Sequence, residues 1–148
     1  MEMSETLAKL AAGTDLDSDE MTAMMQSIMT GEATAAQIGS ALTALRIKGE
    51  TVEEITAAAR VMRDLSSKVP ANHDEMIDTC GTGGSGVSKF NVSTASAIVI
   101  ASAGLKVAKH GNRAASGVSG SADVLEAAGL RLDMSPDAVA ASIEEVGV

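Results

Sequence analysis

Residues 76–111 read MIDTCGTGGSGVSKFNVSTASAIVIASAGLKVAKHG. MIDTC is a short β-prone run that leads straight into a glycine-rich loop, with Gly81, Gly83, Gly84 and Gly86 crowded together. STASAIVIASA (93–103) suits a buried helix that starts at Ser93 or Thr94 and stops at Gly104. LKVAKHG reads as a second short strand. Strand, loop, helix and strand in this order are the grammar of an α/β domain with a parallel sheet. GSADVLEAAG continues the pattern with another helix. Ser135-Pro136-Asp137 then starts a last one, with proline in its first turn, which runs to Glu145 and is closed by Gly147. Two strands make a poor stand-alone core, so the stretch reads as the front part of something larger.

Upstream the pattern is helical. Residues 2–12 form a weak opening helix. Asp17 and Glu20 have the spacing of a capping box ahead of Met21, Met24, Met25, Ile28 and Met29, which recur at three and four and make one helical face. Gly31 stops that helix. Thr34 and Gln37 open the next, with Ile38, Leu42, Leu45 and Ile47 as its apolar residues and Gly49 as its stop. Thr51 and Glu54 open another, followed by Ile55, Ala58, Val61, Met62 and Leu65. The methionine stripe is expected to be core packing or a helix face at a subunit contact. Three parts follow: a helical domain at 1–66, a linker at 67–75 carrying Pro70 and His73, and the beginning of an α/β domain at 76–148.

Composition narrows the function. The chain has 148 residues, 45% of them hydrophobic, but one Phe and no Tyr or Trp, so small aliphatic residues and methionine must fill the core. The formal net charge is −9, which argues against a nucleic-acid or anionic-membrane surface for the chain as a whole. A single cysteine, Cys80, excludes an internal disulfide and fits a reducing cytoplasm. The N-terminus MEMSETLAKLAAG is not expected to be a signal peptide. The longest apolar run, AIVIASAGLKVA, is broken by Gly104 and Lys106 and falls short of a membrane span.

Charge is unevenly placed. Between Thr79 and Ala122 lie Lys89, Lys106, Lys109 and Arg113 and no acid, so this window carries +4; the other seven bases and twenty acids sum to −13. Clearing carboxylates from a glycine-rich segment makes room for an anion. GTGGSG formally matches a dinucleotide-binding fingerprint, but no helix follows the loop directly and no acid stands about twenty residues on. Val87 stands where a Walker A loop needs its lysine. Neither motif is present. What remains is general: small residues let backbone N–H groups approach phosphate, and a helix opening at Asn91-Val92-Ser93-Thr94 favours an anion through its free N–H groups and dipole. Ser93 and Thr94 can donate to phosphate oxygens, and Ser93 could also ligate Mg²⁺. KHGNR places Lys109, His110, Asn112 and Arg113 after the second strand, on the side where ligands bind in parallel α/β folds. Two such loops suit a ligand with more than one phosphate.

DTCGTGGSG, NVSTA, KHGNR and GSADVLEAAG, in this order and spacing, resemble the N-terminal portion of the anthranilate phosphoribosyltransferase family, within the wider nucleoside phosphorylase-like superfamily. IMTGEATAAQIGSALTALRIKGETVEEI is similar to that family's helical domain, so the resemblance spans nearly the whole chain. It implies a small helical domain followed by a parallel-sheet phosphoribosyltransferase domain. It implies a reaction in which the amine of anthranilate attacks C1 of phosphoribosyl pyrophosphate (PRPP) and pyrophosphate leaves with Mg²⁺ assistance, a step of tryptophan biosynthesis. Such chemistry needs positioning and charge stabilisation and no nucleophilic residue. Cys80 is therefore expected only to pack beneath the loop.

Carried over by motif, Gly81, Gly84 and Ser85 would line the junction of PRPP and anthranilate. Asn91, Ser93 and Thr94 would hold pyrophosphate, with Ser93 also on Mg²⁺, and Lys89 and Val92 would belong to the PRPP-binding set. Lys109 and Ser121 would bind PRPP, together with the backbone of Gly111, Asn112, Arg113, Ala114, Ala115, Ser116 and Gly117. Gly81, His110 and Asn112 would adjoin anthranilate. The resemblance also implies a homodimer through the helical domain.

The chain departs from the family's pattern at Ser85, where most members have Asp, and at Val118, commonly Lys. Family members run to more than twice this length. The chain is therefore expected to be a fragment that does not turn over alone, lacking a later anthranilate-binding arginine and a metal-binding Asp-Glu pair. Two alternatives stay open: a non-catalytic phosphate-binding or assembly module, and a paralogue with another aromatic amine or nucleobase as acceptor.

Overall fold

The structure is a computed structural model that describes residues 2–71, 73, 75–81, 90–114 and 119–148. It divides into two compact units, Met1–Ser66 and Ser67–Val148.

The first unit holds α1 (Met3–Ala11), α2 (Ser18–Met29), α3 (Ala35–Lys48) and α4 (Val52–Leu65). The capping boxes read from the sequence are formed: the side chains of Asp17, Thr34 and Thr51 accept from the N–H groups of Glu20, Gln37 and Glu54, satisfying donors that a helix start otherwise leaves open. Gly31 and Gly49 take positive φ (80° and 89°) just past α2 and α3, a backbone that suits glycine at a helix stop. α2 packs on α4 and α1 on α3. Leu10, Leu16, Met21, Met24, Ala41, Leu45 and Ala57 form the core. The methionine stripe is thus mostly core, with only Met29 exposed at its end.

The buried faces of α3 and α4 differ from those expected. Ala41 and Leu45 are buried on α3, whereas Leu42 is exposed and Ile47 is 82% exposed. On α4, Ile55, Met62 and Leu65 are exposed, and the buried line is Glu54, Ala57 and Val61. An alanine at the contact lets helix axes approach, and an acid can face inward when every oxygen is satisfied. Glu54 meets that condition. It is fully buried, and it accepts from the N–H of Leu16 at 2.9 Å, the N–H of Thr51 at 2.8 Å and the ammonium of Lys48 at 2.9 Å. Lys48 also reaches Asp15 at 2.6 Å. This network ties the loop before α2 to the start of α4 and the end of α3.

The second unit contains β1 (Met76–Ile77), α5 (Val92–Ser102), β2 (Lys106–Val107), α6 (Ser121–Ala127) and α7 (Pro136–Glu145). β1 and β2 pair in parallel, Met76 opposite Lys106 and Ile77 opposite Val107, as the strand–helix–strand reading expects. Val107 is completely buried. Its N–H donates to the carbonyl of Gly147 at 2.8 Å, and the next N–H, of Ala108, donates to Ile77 at 3.0 Å. Consecutive N–H groups of a strand point to opposite sides, so residue 147 flanks β2 on the side away from β1. Lys106 Nζ donates to the Glu144 carbonyl at 2.5 Å, placing a cation at the C-terminal end of α7, where the helix dipole favours it.

α5 begins at Val92, one residue earlier than expected, and is not wholly buried. Thr94 and Ala97 are buried, while Ile98 is half exposed and Val99 is 67% exposed. A helix apolar all round needs cover on every side, and here the short β2 packs on it.

Candidate functional site

Both loops of interest leave the carboxyl ends of parallel strands, 78–81 after β1 and 108–114 after β2. Parallel pairing puts them side by side, and three side chains, of Asp78, Thr79 and Asn91, lace the loops to each other, to α5 and to the segment before α6. Asp78 Oδ1 accepts from the N–H of His110 at 3.1 Å and of Cys80 at 3.1 Å. Thr79 Oγ1 donates to the Ser93 carbonyl at 2.8 Å. The Asn91 side chain donates to the Ser119 carbonyl and accepts from the Ser119 hydroxyl, each at 3.4 Å.

The last contact changes the start of α5. Asn91 is its N-cap residue, yet among the described residues its side chain accepts from no N–H of the first turn. α2, α3, α4 and α7 are all capped by their own Asp17, Thr34, Thr51 and Ser135. α5 therefore starts without a side-chain cap: the N–H groups of Val92 and Thr94 donate to the carbonyls of Phe90 and Asn91, at 2.7 and 3.1 Å, and the Ser93 N–H has no partner among the described residues. Thr94 Oγ1 is buried and has no hydrogen-bond partner among the described residues. Such an orphaned hydroxyl is costly unless something fills its bonding capacity.

The second loop folds tightly onto α6. A Cβ on Gly111 would stand 2.2 Å from Ser121 Oγ, and one on Gly120 would stand 2.3 Å from the Asn112 carbonyl and 2.6 Å from the Ala114 nitrogen. Thr94, Lys109, His110, Gly111 and Ser121 line one cavity of about 590 Å³. Apolar residues of α6, α7 and the 130–134 segment, among them Leu125, Leu132, Val139 and Ile143, form its other wall.

Electrostatics depart from the acid-free window of the sequence. The two acids that bracket the window fold back into it. Burial pushes the Asp78 carboxyl up, but the N–H of His110, the thiol and N–H of Cys80, and Lys109 outweigh this and hold it below its ordinary value. Asp123 is held low by the N–H groups of Gly120 and Ala114, at 2.7 and 2.9 Å, and by Arg113. Arg113 forms a two-pronged pair with Glu126 at 2.6 and 2.9 Å and also reaches Asp123 at 3.3 Å; Glu126 raises its pKa further. Its guanidinium is therefore already occupied. Lys109 makes no ion pair among the described residues and donates to the carbonyl of His110 at 2.5 Å. It is the more available cation.

Gly81 is exposed with open space around it, and Val92, Asn112 and Ala114 are on the surface near the two loops. Gly84, Ser85, Lys89, Ala115, Ser116 and Gly117, with Val118, lie outside the described residues. Cys80 is exposed and does not pack beneath the loop; its N–H and thiol are drawn to the exposed Asp78 carboxylate instead. His73, read as solvated linker, pairs through Nε2 with Glu144 at 2.8 Å. Asp78, Asp123 and Glu126 were missed by the sequence reading. The signal was there in part: Asp78 and Asp123 are the acids immediately flanking the basic window, and Glu126 lies three residues after Asp123 on α6.

A helical bundle followed by a parallel α/β unit, with paired strand-end loops meeting an uncapped helix start, defines a two-part class of protein whose site lies at the carboxyl edge of the sheet. The chain belongs to the glycosyl transferase family: the helical bundle domain of that family matches residues 4–66 and its α/β domain matches residues 73–148. Among curated relatives, the anthranilate phosphoribosyltransferase of Thioalkalivibrio sulfidiphilus (strain HL-EbGR7) is 57% identical over 148 residues, covering 100% of this chain and 44% of the relative. That of Hahella chejuensis (strain KCTC 2396) is 58% identical, with 100% and 43% covered. The crystal structure of anthranilate phosphoribosyltransferase (TrpD) from Thermus thermophilus superposes with a TM-score of 0.82 at 41% identity, covering 96% of this chain and 43% of that one. The chain thus spans less than half the length of these relatives.

Proposed function

We propose that this chain carries the PRPP-binding part of an anthranilate phosphoribosyltransferase. The observation that supports this most is the uncapped start of α5, facing the Lys109–Ser121 loop beside the orphaned hydroxyl of Thr94. The Ser93 N–H at a helix start, the hydroxyls of Ser93 and Thr94 and the Lys109 ammonium suit a pyrophosphate. In the reaction, the anthranilate nitrogen bonds to C1 of the ribose, the bond from C1 to the pyrophosphate oxygen breaks with its electron pair, and the nitrogen gives up a proton. The residues here would stabilise the departing charge and align the sugar. Lys109 acts as the phosphate cation, and Arg113 serves through Asp123 and Glu126 to brace the loop. His110 and Asn112 adjoin the acceptor.

Magnesium takes hard oxygen ligands and is commonly shared with substrate phosphates. The hydroxyls of Ser93 and Thr94 fit that chemistry, and Ser93 would hold the ion together with pyrophosphate oxygens, where it offsets charge on the leaving group. A homodimer through the helical unit is supported by the apolar side chains it leaves exposed, Leu42, Ile47, Val52 and Ile55. A cytoplasmic location fits the exposed free thiol of Cys80. Tryptophan biosynthesis follows from the same reading.

The test is calorimetric titration of PRPP into the chain with and without Mg²⁺, with ribose 5-phosphate as control. Saturable binding of PRPP that Lys109→Ala abolishes, and that ribose 5-phosphate does not reproduce, is expected. Binding unchanged by Lys109→Ala, or none to a folded sample, would refute the assignment to this chain.

A further inference from the structure

We propose that Asp78, Cys80 and His110 form a three-ligand site for a thiophilic divalent cation of the zinc class, with the fourth position open to water. The carboxylate oxygen, the thiol sulfur and an imidazole nitrogen lie within 4.8 Å of one another, and all three side chains are exposed. Zinc bond lengths of about 2.0–2.3 Å put tetrahedral ligands roughly 3.3–3.8 Å apart, so closing the site takes only side-chain adjustment.

The backbone holds the three together. Asp78 Oδ1 accepts the main-chain N–H of both other ligand residues, each at 3.1 Å. The carboxylate is thereby fixed through Oδ1, and among the described residues its Oδ2 accepts no main-chain N–H. Two of the ligands come from the end of β1 and the third from the end of β2, so the strand pairing sets their separation. The donor set is selective. Sulfur with imidazole and one carboxylate suits zinc or cobalt, whereas magnesium demands oxygen ligands. The cation is therefore distinct from the magnesium proposed at Ser93. A bound cation would clamp the two strand-end loops to each other. The site stands on its own geometry and does not rest on the transferase reading.

The test is titration of the reduced, chelator-stripped chain with Co²⁺ in excess Mg²⁺. Cys80 is the one cysteine in the sequence, so a thiolate-to-cobalt charge-transfer band reports this site alone. One equivalent of Co²⁺ is expected to develop that band together with four-coordinate d–d absorption, and Zn²⁺ is expected to bleach both. Cys80→Ser should lose the charge-transfer band. His110→Ala keeps the main-chain hydrogen bond, and Asp78→Asn keeps an acceptor oxygen; each should weaken binding by at least about tenfold, the scale seen even for outer-shell losses. His73→Ala should leave binding unchanged. Independently of any variant, Zn²⁺ should slow alkylation of Cys80 by iodoacetamide at least about tenfold. Absence of the band, equal affinity in folded His110→Ala, or alkylation unaffected by Zn²⁺ would each overturn the proposal.

Discussion

Replacing Glu54 by Gln removes the charge at the centre of the helical unit while keeping its shape. Burial pushes the Glu54 carboxyl up, but the N–H groups of Leu16 and Thr51 and the Lys48 ammonium outweigh it, lowering the pKa from 4.5 to about 2. At about 1.36 kcal/mol per pH unit, this difference corresponds to about 3 kcal/mol favouring the charged folded form. The substitution also turns one acceptor into a donor that faces N–H groups, and it leaves the nearly buried Lys48 with Asp15 as its carboxylate partner, beside the Gly49 carbonyl. Breaking one side of a buried pair costs about 3–5 kcal/mol. The retained Asp15 contact places the expected loss at the low end, about 3 kcal/mol.

Urea unfolding of the chain, followed by helical circular dichroism, measures that loss, and hydrogen exchange at the Leu16 amide localises it. The sign with pH follows from the lowered pKa. The stabilisation is full above about 4.5, the unfolded value, and is lost as pH falls toward about 2, the folded value. The gap between wild type and Glu54→Gln should therefore be constant at neutral pH and shrink between about 4.5 and 2. A gap below about 1 kcal/mol at neutral pH, or one that does not narrow on acidification, would refute the reasoning.

Other outcomes follow from the loops. Gly120→Ala sets a methyl against backbone atoms at 2.3 and 2.6 Å, whereas Gly111→Ala meets chiefly a serine hydroxyl that can turn away. Thermal unfolding should show the first costing about 3 kcal/mol and the second nearer about 1 kcal/mol. Ser135→Ala removes the cap on α7 and should cost about 1 kcal/mol. Asn91→Ala, which removes no cap among the described residues, should cost much less on the same melts while weakening PRPP binding in the titration. Asp123→Ala should speed hydrogen exchange at the amides of Ala114 and Gly120, its two backbone donors.

Much of the fold is written in local signals. Capping boxes at Asp17, Thr34 and Thr51, stops at Gly31 and Gly49, and Pro136 after Ser135 act over a few residues, so their neighbours in sequence suffice to read them. The alternation of strand, glycine loop and helix from Met76 onward is local in the same way, and so is the parallel pair it implies. The family motifs were legible because glycines and hydroxyls at a strand end occupy consecutive positions. Which face of α3 and α4 turns inward was not legible, because apolar residues surround α3, while on α4 small alanines and an acid take the contact in place of the larger Ile55, Met62 and Leu65; only the neighbouring helices choose Ala41 over Leu42 and Glu54 over Ile55. Glu54 can be buried only because Leu16 and Lys48 bring donors to it from outside its own helix. The same holds at the site. Asp78 meets His110 and Arg113 meets Glu126 across separations no local pattern encodes. Hydrogen bonds and ion pairs act through space, so the occupied arginine, the available lysine and the converging Asp78, Cys80 and His110 become visible only once the strands have paired.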